Sequence, residues 1–186
     1  MDKHIHTPIT EEITADLKAG DYVYITGTLY VARDAAHKRM MEVLDEGKEL
    51  PFNIQDQTIF YVGPTPSKPG QVFGSGGPTT SGRMDAYSPR LIKLGLHAMI
   101  GKGYRSDAVK KAIVDYHGVY FGAIGGAGAM MSSCIEECEV IAFDDLGPEA
   151  IRKLKVKNMP LVVVIDHLGN DLYEIGRKNY LKKDCK

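Results

Sequence analysis

Three cations of this chain stand where turns are expected. Arg33 falls between a β-forming stretch and the start of a helix. A guanidinium there, beside the free N–H groups of a helix start, suits a carboxylate. Arg83 lies in a glycine-rich segment, where missing side chains let a ligand approach the backbone closely. Lys102 is flanked by Gly101 and Gly103, a cation on a pliable turn. Taken singly, each is a solvated surface charge. Together they are compatible with a site for a small anion, without naming the anion. Thr79, Thr80 and Ser81 add three adjacent hydroxyls beside Arg83 and Asp85. Such hydroxyls ordinarily bond local backbone in turns. To move a proton they need a nearby base or cation, because an alcohol is a poor base at neutral pH. His37 shares the helix expected after Arg33. A histidine facing core or solvent is the default there, and its nearness to Arg33 is the one reason to keep it.

The elements that must position these residues read as follows. Thr10 with Glu11 and Glu12 marks a capped helix start, ending at Gly20. Residues 21–31 read as a strand pair with Gly27 near its bend. A helix starts at Asp34 and stops at Gly47, and residues 58–62 form a strand. Residues 63–89, rich in Gly, Pro and Ser, are too long for an ordinary connection. Arg83 and Asp85 inside them favour a functional loop over a linker. Ser88 caps the next helix, with Pro89 at its first position and its end near Leu96. Ile100 to Gly103 is a turn, and Ser106 caps a helix over 107–116. Strands follow at 119–122, 140–143 and 161–165. Pro148 starts a short helix ending in lysines between the last two. Residues 166–170 are a turn before a final strand over 171–175. Strand pairs first and strand–helix alternation later give a layered α/β fold, taken as one domain over 1–186.

Composition narrows the function classes. Of 186 residues, 44% are apolar and 25% charged, so a packed core is expected. A formal net charge of −1 argues against nucleic acid or an anionic membrane as partner. The longest apolar run, residues 161–165, is strand-sized, and the opening MDKHIHTPIT lacks a signal-peptide core, so a cytoplasmic location is expected. Cys134, Cys138 and Cys185 are too few for a disulfide framework. The spacing of the first two would put them on one helix face, unlike common ligand spacings, so reduced, buried thiols are expected and no metal. Any iron or zinc would then draw its ligands mostly from another chain. The run GAIGGAGA at 122–129 is neither a dinucleotide fingerprint nor a P-loop. Close backbone packing, or a loop facing a partner subunit, fits it better.

The segment GPTTSGRMD, residues 77–85, resembles the signature loop in the C-terminal part of class I fumarases and related L-tartrate dehydratases. GDYVYITGTLYVARDAAHKRM (20–40), FYVGPTPSKPG (60–70), IGKG (100–103) and LGPEAIRKLKVKNMPLVVVIDHLGNDLY (146–173) resemble the family in the same order. The family occurs as one long chain or as two subunits, and this sequence is similar to the smaller, β subunit. The resemblance implies a swivelling β/β/α domain and an active-site loop at 63–89. It implies a hydro-lyase of the tricarboxylic acid cycle, converting fumarate and L-malate, with L-tartrate dehydratase as the alternative. It also implies a [4Fe-4S] cluster held by a partner α subunit in an α2β2 assembly. By resemblance Arg33, Arg83 and Lys102 bind substrate carboxylates and Thr79 is the base, with Asp85 and His37 in support. A stand-alone anion-binding module is the alternative of another class.

Overall fold

Three strands of this chain, at 58–60, 98–101 and 119–122, are short and buried on both faces. A sheet with only one face buried does not require that. The computed structural model describes residues 2–66, 69–123 and 128–181; Cys185, Ser67, Lys68 and residues 124–127 of the glycine run lie outside them. The chain opens with β1 (Lys3–His6), α1 (Glu11–Ala15), β2 (Tyr22–Val31), α2 (Asp34–Asp45) and β3 (Thr58–Phe60). After the long loop come α3 (Ser88–Lys93), β4 (Ala98–Gly101), α4 (Asp107–Asp115), β5 (Val119–Gly122) and α5 (Gly128–Ser133). The last elements are β6 (Ile135–Ala142), β7 (Ile151–Ile165) and α6 (Leu172–Tyr180).

All seven strands join one sheet, ordered β1-β2-β3-β4-β5-β7-β6, and β2 also pairs with β7. That extra pairing closes β2, β3, β4, β5 and β7 into a ring. The first four run parallel, and β7 is antiparallel to both neighbours in the ring. The fold is therefore mixed α/β with a barrel-like sheet. Period-2 alternation sends each strand's side chains to two different cores. Phe60, Ile100, Phe121 and Val163 gather in one. Their chain neighbours Ile59, Met99, Tyr120 and Val164 gather in the other, with Met40 of α2, Leu91 of α3 and Ile113 of α4. Burial on both faces explains the apolar runs.

Several expectations are corrected. Residues 21–31 are one strand, not a pair. Gly27 (φ +127°) is needed because Thr7 crosses it: a Cβ there would lie 2.2 Å from Thr7 Oγ1, which accepts from Thr28 N–H at 2.6 Å. The helix expected from Pro148 is a short 3-10 segment over Asp144–Glu149, and the lysines after it belong to β7. There Lys153, Lys155 and Lys157 alternate with buried Leu154 and Val156. A bulge at Asn158 (φ 50°) inserts one residue, so the inward set changes from Leu154 and Val156 to Met159, Leu161 and Val163. The strand expected at 171–175 is α6, whose start is capped by Asp171, accepting from Tyr173 N–H at 2.9 Å. β4 takes Ile100 and Gly101 from the expected turn, and α1 stops at Ala15. Ser88 does not cap α3, since its hydroxyl donates to Met84 O at 2.9 Å inside the first turn. Cys134 follows α5 and Cys138 sits in β6, so the two share no helix. Among the described residues no helix is long and apolar enough to cross a membrane.

Candidate active site

Parallel strands end at a common rim, where ligands of α/β sheets usually bind. β2, β3 and β4 do so here, and charged residues stand just past their ends. Arg33 occupies the N-cap position of α2 in extended conformation (φ −125°, ψ −161°) and makes no side-chain cap. The cap comes from far along the chain: Glu149 Oε2 accepts from Ala35 N–H at 2.8 Å. The other oxygen of Glu149 lies 3.6 Å from Arg33 Nη2. Gly63 leaves room for the guanidinium, because a Cβ there would sit 2.0 Å from Arg33 Nη1. Asp34 links both arginines. Its Oδ1 is 2.8 Å from Arg83 Nε, and its Oδ2 is 3.8 Å from Arg33 Nη2. Arg33 Nε and Asp34 Oδ2 are buried without a hydrogen-bond partner. Such open valences are the mark of a place that water or ligand completes.

The loop leaves β3 and returns beside it, with Val62 bridged to Pro78 and Thr79 N–H donating to Tyr61 O at 2.7 Å. Thr80 then pairs parallel with Lys102. Ser81 N–H donates to Lys102 O at 2.9 Å, and Lys102 N–H donates to Ser81 Oγ at 3.0 Å. Residues 79–81 thus extend the sheet by a short piece of strand beside the end of β4. The three hydroxyls part company here. Ser81 is fully buried and also bonds Tyr120 Oη at 2.9 Å, a structural role. Thr79 is half-buried, and Thr80 is exposed. Lys102 is exposed, and its ammonium meets no carboxylate among the described residues.

Asp85 turns away from the cations of the site to a fourth. Its Oδ1 accepts from Arg105 Nε at 2.7 Å and its Oδ2 from Ser106 N–H at 2.5 Å. The Arg105 side chain is fully buried, lies over the rings of Tyr61 and Tyr120 and donates to Ser88 Oγ at 2.8 Å. Sequence reasoning missed Arg105. An arginine before a capped helix carries no mark of burial, and only the three-dimensional enclosure gives it one. His37 is buried, and its Nδ1–H donates to Arg33 O at 2.8 Å, with the ring edge against Tyr61. Burial pushes its pKa down to about 4, so the imidazole is neutral at pH 7. It braces the backbone that carries Arg33. The structure therefore brings Arg33 and Arg83 together on Asp34, and pairs Lys102 with Thr80, the residue after Thr79, with Asp85 and His37 behind them.

Cys134 and Cys138, the thiols among the described residues, do not suit an iron–sulfur cluster. Burial pushes the pKa of both Cys134 and Cys138 up, away from the thiolate a cluster needs. Among the described residues no three His, Cys, Asp or Glu side chains gather to hold a metal.

Residues 2–176 match the family model described as fumarase C-terminus. The chain belongs to this family. Within it, a protein of Methanocaldococcus jannaschii provisionally named L(+)-tartrate dehydratase subunit beta is 38% identical over 181 residues, covering 94% of this chain and 93% of that protein. The anaerobic class I fumarate hydratase of Escherichia coli is 42% identical over 152 residues, 81% of this chain but 28% of its own length. A Geobacillus stearothermophilus protein provisionally named class I fumarate hydratase is 37% identical over 184 residues, covering 96% of this chain and 35% of that protein. This member of the fumarase C-terminus family thus spans about a third or less of the fumarate hydratases just named, and nearly all of the tartrate dehydratase subunit.

Proposed function

We propose that this chain is the β subunit of a hydro-lyase of the fumarate hydratase type, hydrating fumarate reversibly to L-malate. The observation that supports the reading is Asp34 joining Arg83 to Arg33 just past the end of β2, while Lys102, just past the end of β4, is bridged to Thr80 of the loop that carries Arg83. Dehydrating malate takes a weakly acidic proton from the carbon next to a carboxylate while a hydroxyl leaves. Negative charge builds on that carboxylate, and fixed cations beside it lower the barrier when they bind it better as the charge grows. Arg33 and Arg83 hold one or both substrate carboxylates, Lys102 supplies the exposed third cation, and the Thr79 hydroxyl receives the proton. Asp85, locked to Arg105, keeps the loop in place. The described residues do not fit a [4Fe-4S] cluster, so the reading gives the cluster to a partner α subunit in an α2β2 assembly; no step of this chain runs through it. The swivelling β/β/α architecture is part of the same proposal, and the packing of α2, α3 and α4 on one face of the ring supports it.

One observation favours a second substrate: a relative matched along nearly its whole length carries a tartrate dehydratase name. Assays of the assembled enzyme on fumarate, L-malate and L-tartrate decide between them. In the same assay Thr79→Ala lowers turnover strongly with little change in substrate binding, while Lys102→Ala weakens both. Thr79→Ser keeps the hydroxyl and retains more turnover. Solvent-deuterium exchange at the substrate carbon that stays normal in Thr79→Ala would put the base elsewhere.

A further inference from the structure

We propose that Asp34 is a positioning residue for dicarboxylate binding, bridging Arg83 and Arg33 so that Arg83 meets the ligand already oriented. This rests on the reading above that the two arginines bind a substrate carboxylate. Arg83 stands on a 3-10 turn of four residues, and 52% of its side chain is exposed. Left alone, so long a side chain samples many rotamers and loses that freedom on binding. Asp34 removes the freedom beforehand. Its Oδ1 approaches the guanidinium from the Nε side, 2.8 Å away, as an ion pair rather than an aligned hydrogen bond, and Nη1 and Nη2 of Arg83 make no hydrogen bond among the described residues. Those two groups form the edge that grips a carboxylate in bidentate fashion. The second oxygen of Asp34 faces Arg33 Nη2 at 3.8 Å, too long for a hydrogen bond, and is buried without a partner. The bridge is thus close on the Arg83 side, at 2.8 Å, and longer on the Arg33 side, at 3.8 Å, where a ligand can complete it.

The sign of the effect separates positioning from bulk charge. Asp34 is an anion beside an anion site, so by charge alone its removal tightens dicarboxylate binding. As a positioning group its removal weakens binding. The helix start survives the change, since Glu149 still caps α2 through Ala35 N–H.

The test uses the full chain, 15N-labelled, at low ionic strength, titrated with succinate and followed by NMR including the arginine Nε–H signals. Asp34→Asn is expected to weaken succinate binding roughly fivefold or more. It is also expected to shift and sharpen the Arg83 Nε–H signal as the side chain regains its rotamers. Asp34→Glu restores part of both, and in an Arg83→Ala background Asp34→Asn weakens binding no further. Equal or tighter succinate binding by Asp34→Asn, with binding lost in Arg83→Ala, overturns the role of Asp34 and leaves the proposed function standing. Unchanged binding by Arg83→Ala overturns the reading beneath it, and this role with it.

Discussion

Replacing Gly101 by alanine places one methyl group where β4, the loop and the second core meet. The new Cβ would lie 1.9 Å from Ser81 Oγ, 3.0 Å from Tyr61 Cδ2 and 3.2 Å from Ser81 Cβ. Ser81 has nowhere to turn, because its hydroxyl is held by Tyr120 and by Lys102 N–H. Relief requires lifting residues 79–83 off the end of β4. Overpacking of this kind costs about 1–3 kcal/mol. Each hydrogen bond lost from Ser81 adds ~1 kcal/mol. Gly101→Ala is therefore expected to destabilise the fold by about 2–4 kcal/mol. Ser81→Ala alone loses both bonds of its hydroxyl without a clash, at about 1–3 kcal/mol. The double variant removes the 1.9 Å contact. It should be less destabilised than the sum of the singles by about 1–3 kcal/mol, the strain that no longer arises. Urea denaturation of the three variants, followed by circular dichroism and tyrosine fluorescence, measures the coupling. Additivity to within about 0.5 kcal/mol would falsify the account of how the loop is seated.

Other outcomes follow from the same geometry. Arg33→Ala and Arg83→Ala should each lower kcat/KM of the assembled enzyme by about 100-fold or more while leaving the melting temperature nearly unchanged; near-normal kinetics in both would misplace the substrate site. His37 has an unfolded pKa near 6.5 and a folded value depressed to about 4, so the unfolded chain takes up a proton that the folded one refuses. Its contribution to stability is intact above pH 6.5 and declines as pH falls toward 4, by at most ~1.4 kcal/mol per pH unit. His37→Gln should flatten that part of the stability–pH curve, and an unchanged slope would show that another group titrates. Anaerobic reconstitution of the chain alone with iron and sulfide should give no [4Fe-4S] absorbance, and a stable cluster on Cys134 and Cys138 would overturn the division between subunits.

Much of the rim was legible in the sequence because turns announce themselves. Arg33 between a strand and an acidic helix start, and Lys102 between two glycines, were read from local chemistry alone. What local chemistry could not reveal was who holds them. Glu149 caps α2 from 114 residues away, and Arg105 reaches Asp85 across 20. Neither distance leaves a trace in spacing. The misread elements have a different cause. Pro148 is a good helix starter, and it outweighed the alternation of Lys153, Leu154, Lys155 and Val156, which was the better signal. At 171–175 a short stretch after a turn was taken for a strand, although Leu172 and Ile175 stand three apart as on a helix face and Asp171 caps the helix. Gly27 looked like a bend because a glycine in a strand usually marks one, whereas here it makes way for Thr7.

β7 gives the chain an order of assembly. It pairs with β2 between residues 121 to 140 positions apart, and it is the last strand among the described residues. Until it arrives, β2, β3, β4 and β5 form an open sheet whose two margins of unpaired N–H and C=O groups invite other chains. Contacts of such long range are slow to form, since the loop they close must first be ordered. The rim with Arg33, Thr79, Arg83 and Lys102 can be in place while one side of the sheet is still unsealed. A nascent or truncated chain ending before residue 151 would then aggregate through that margin rather than fail at the site, and fusions or tags that crowd the last strand would lower the yield of protein without altering its chemistry.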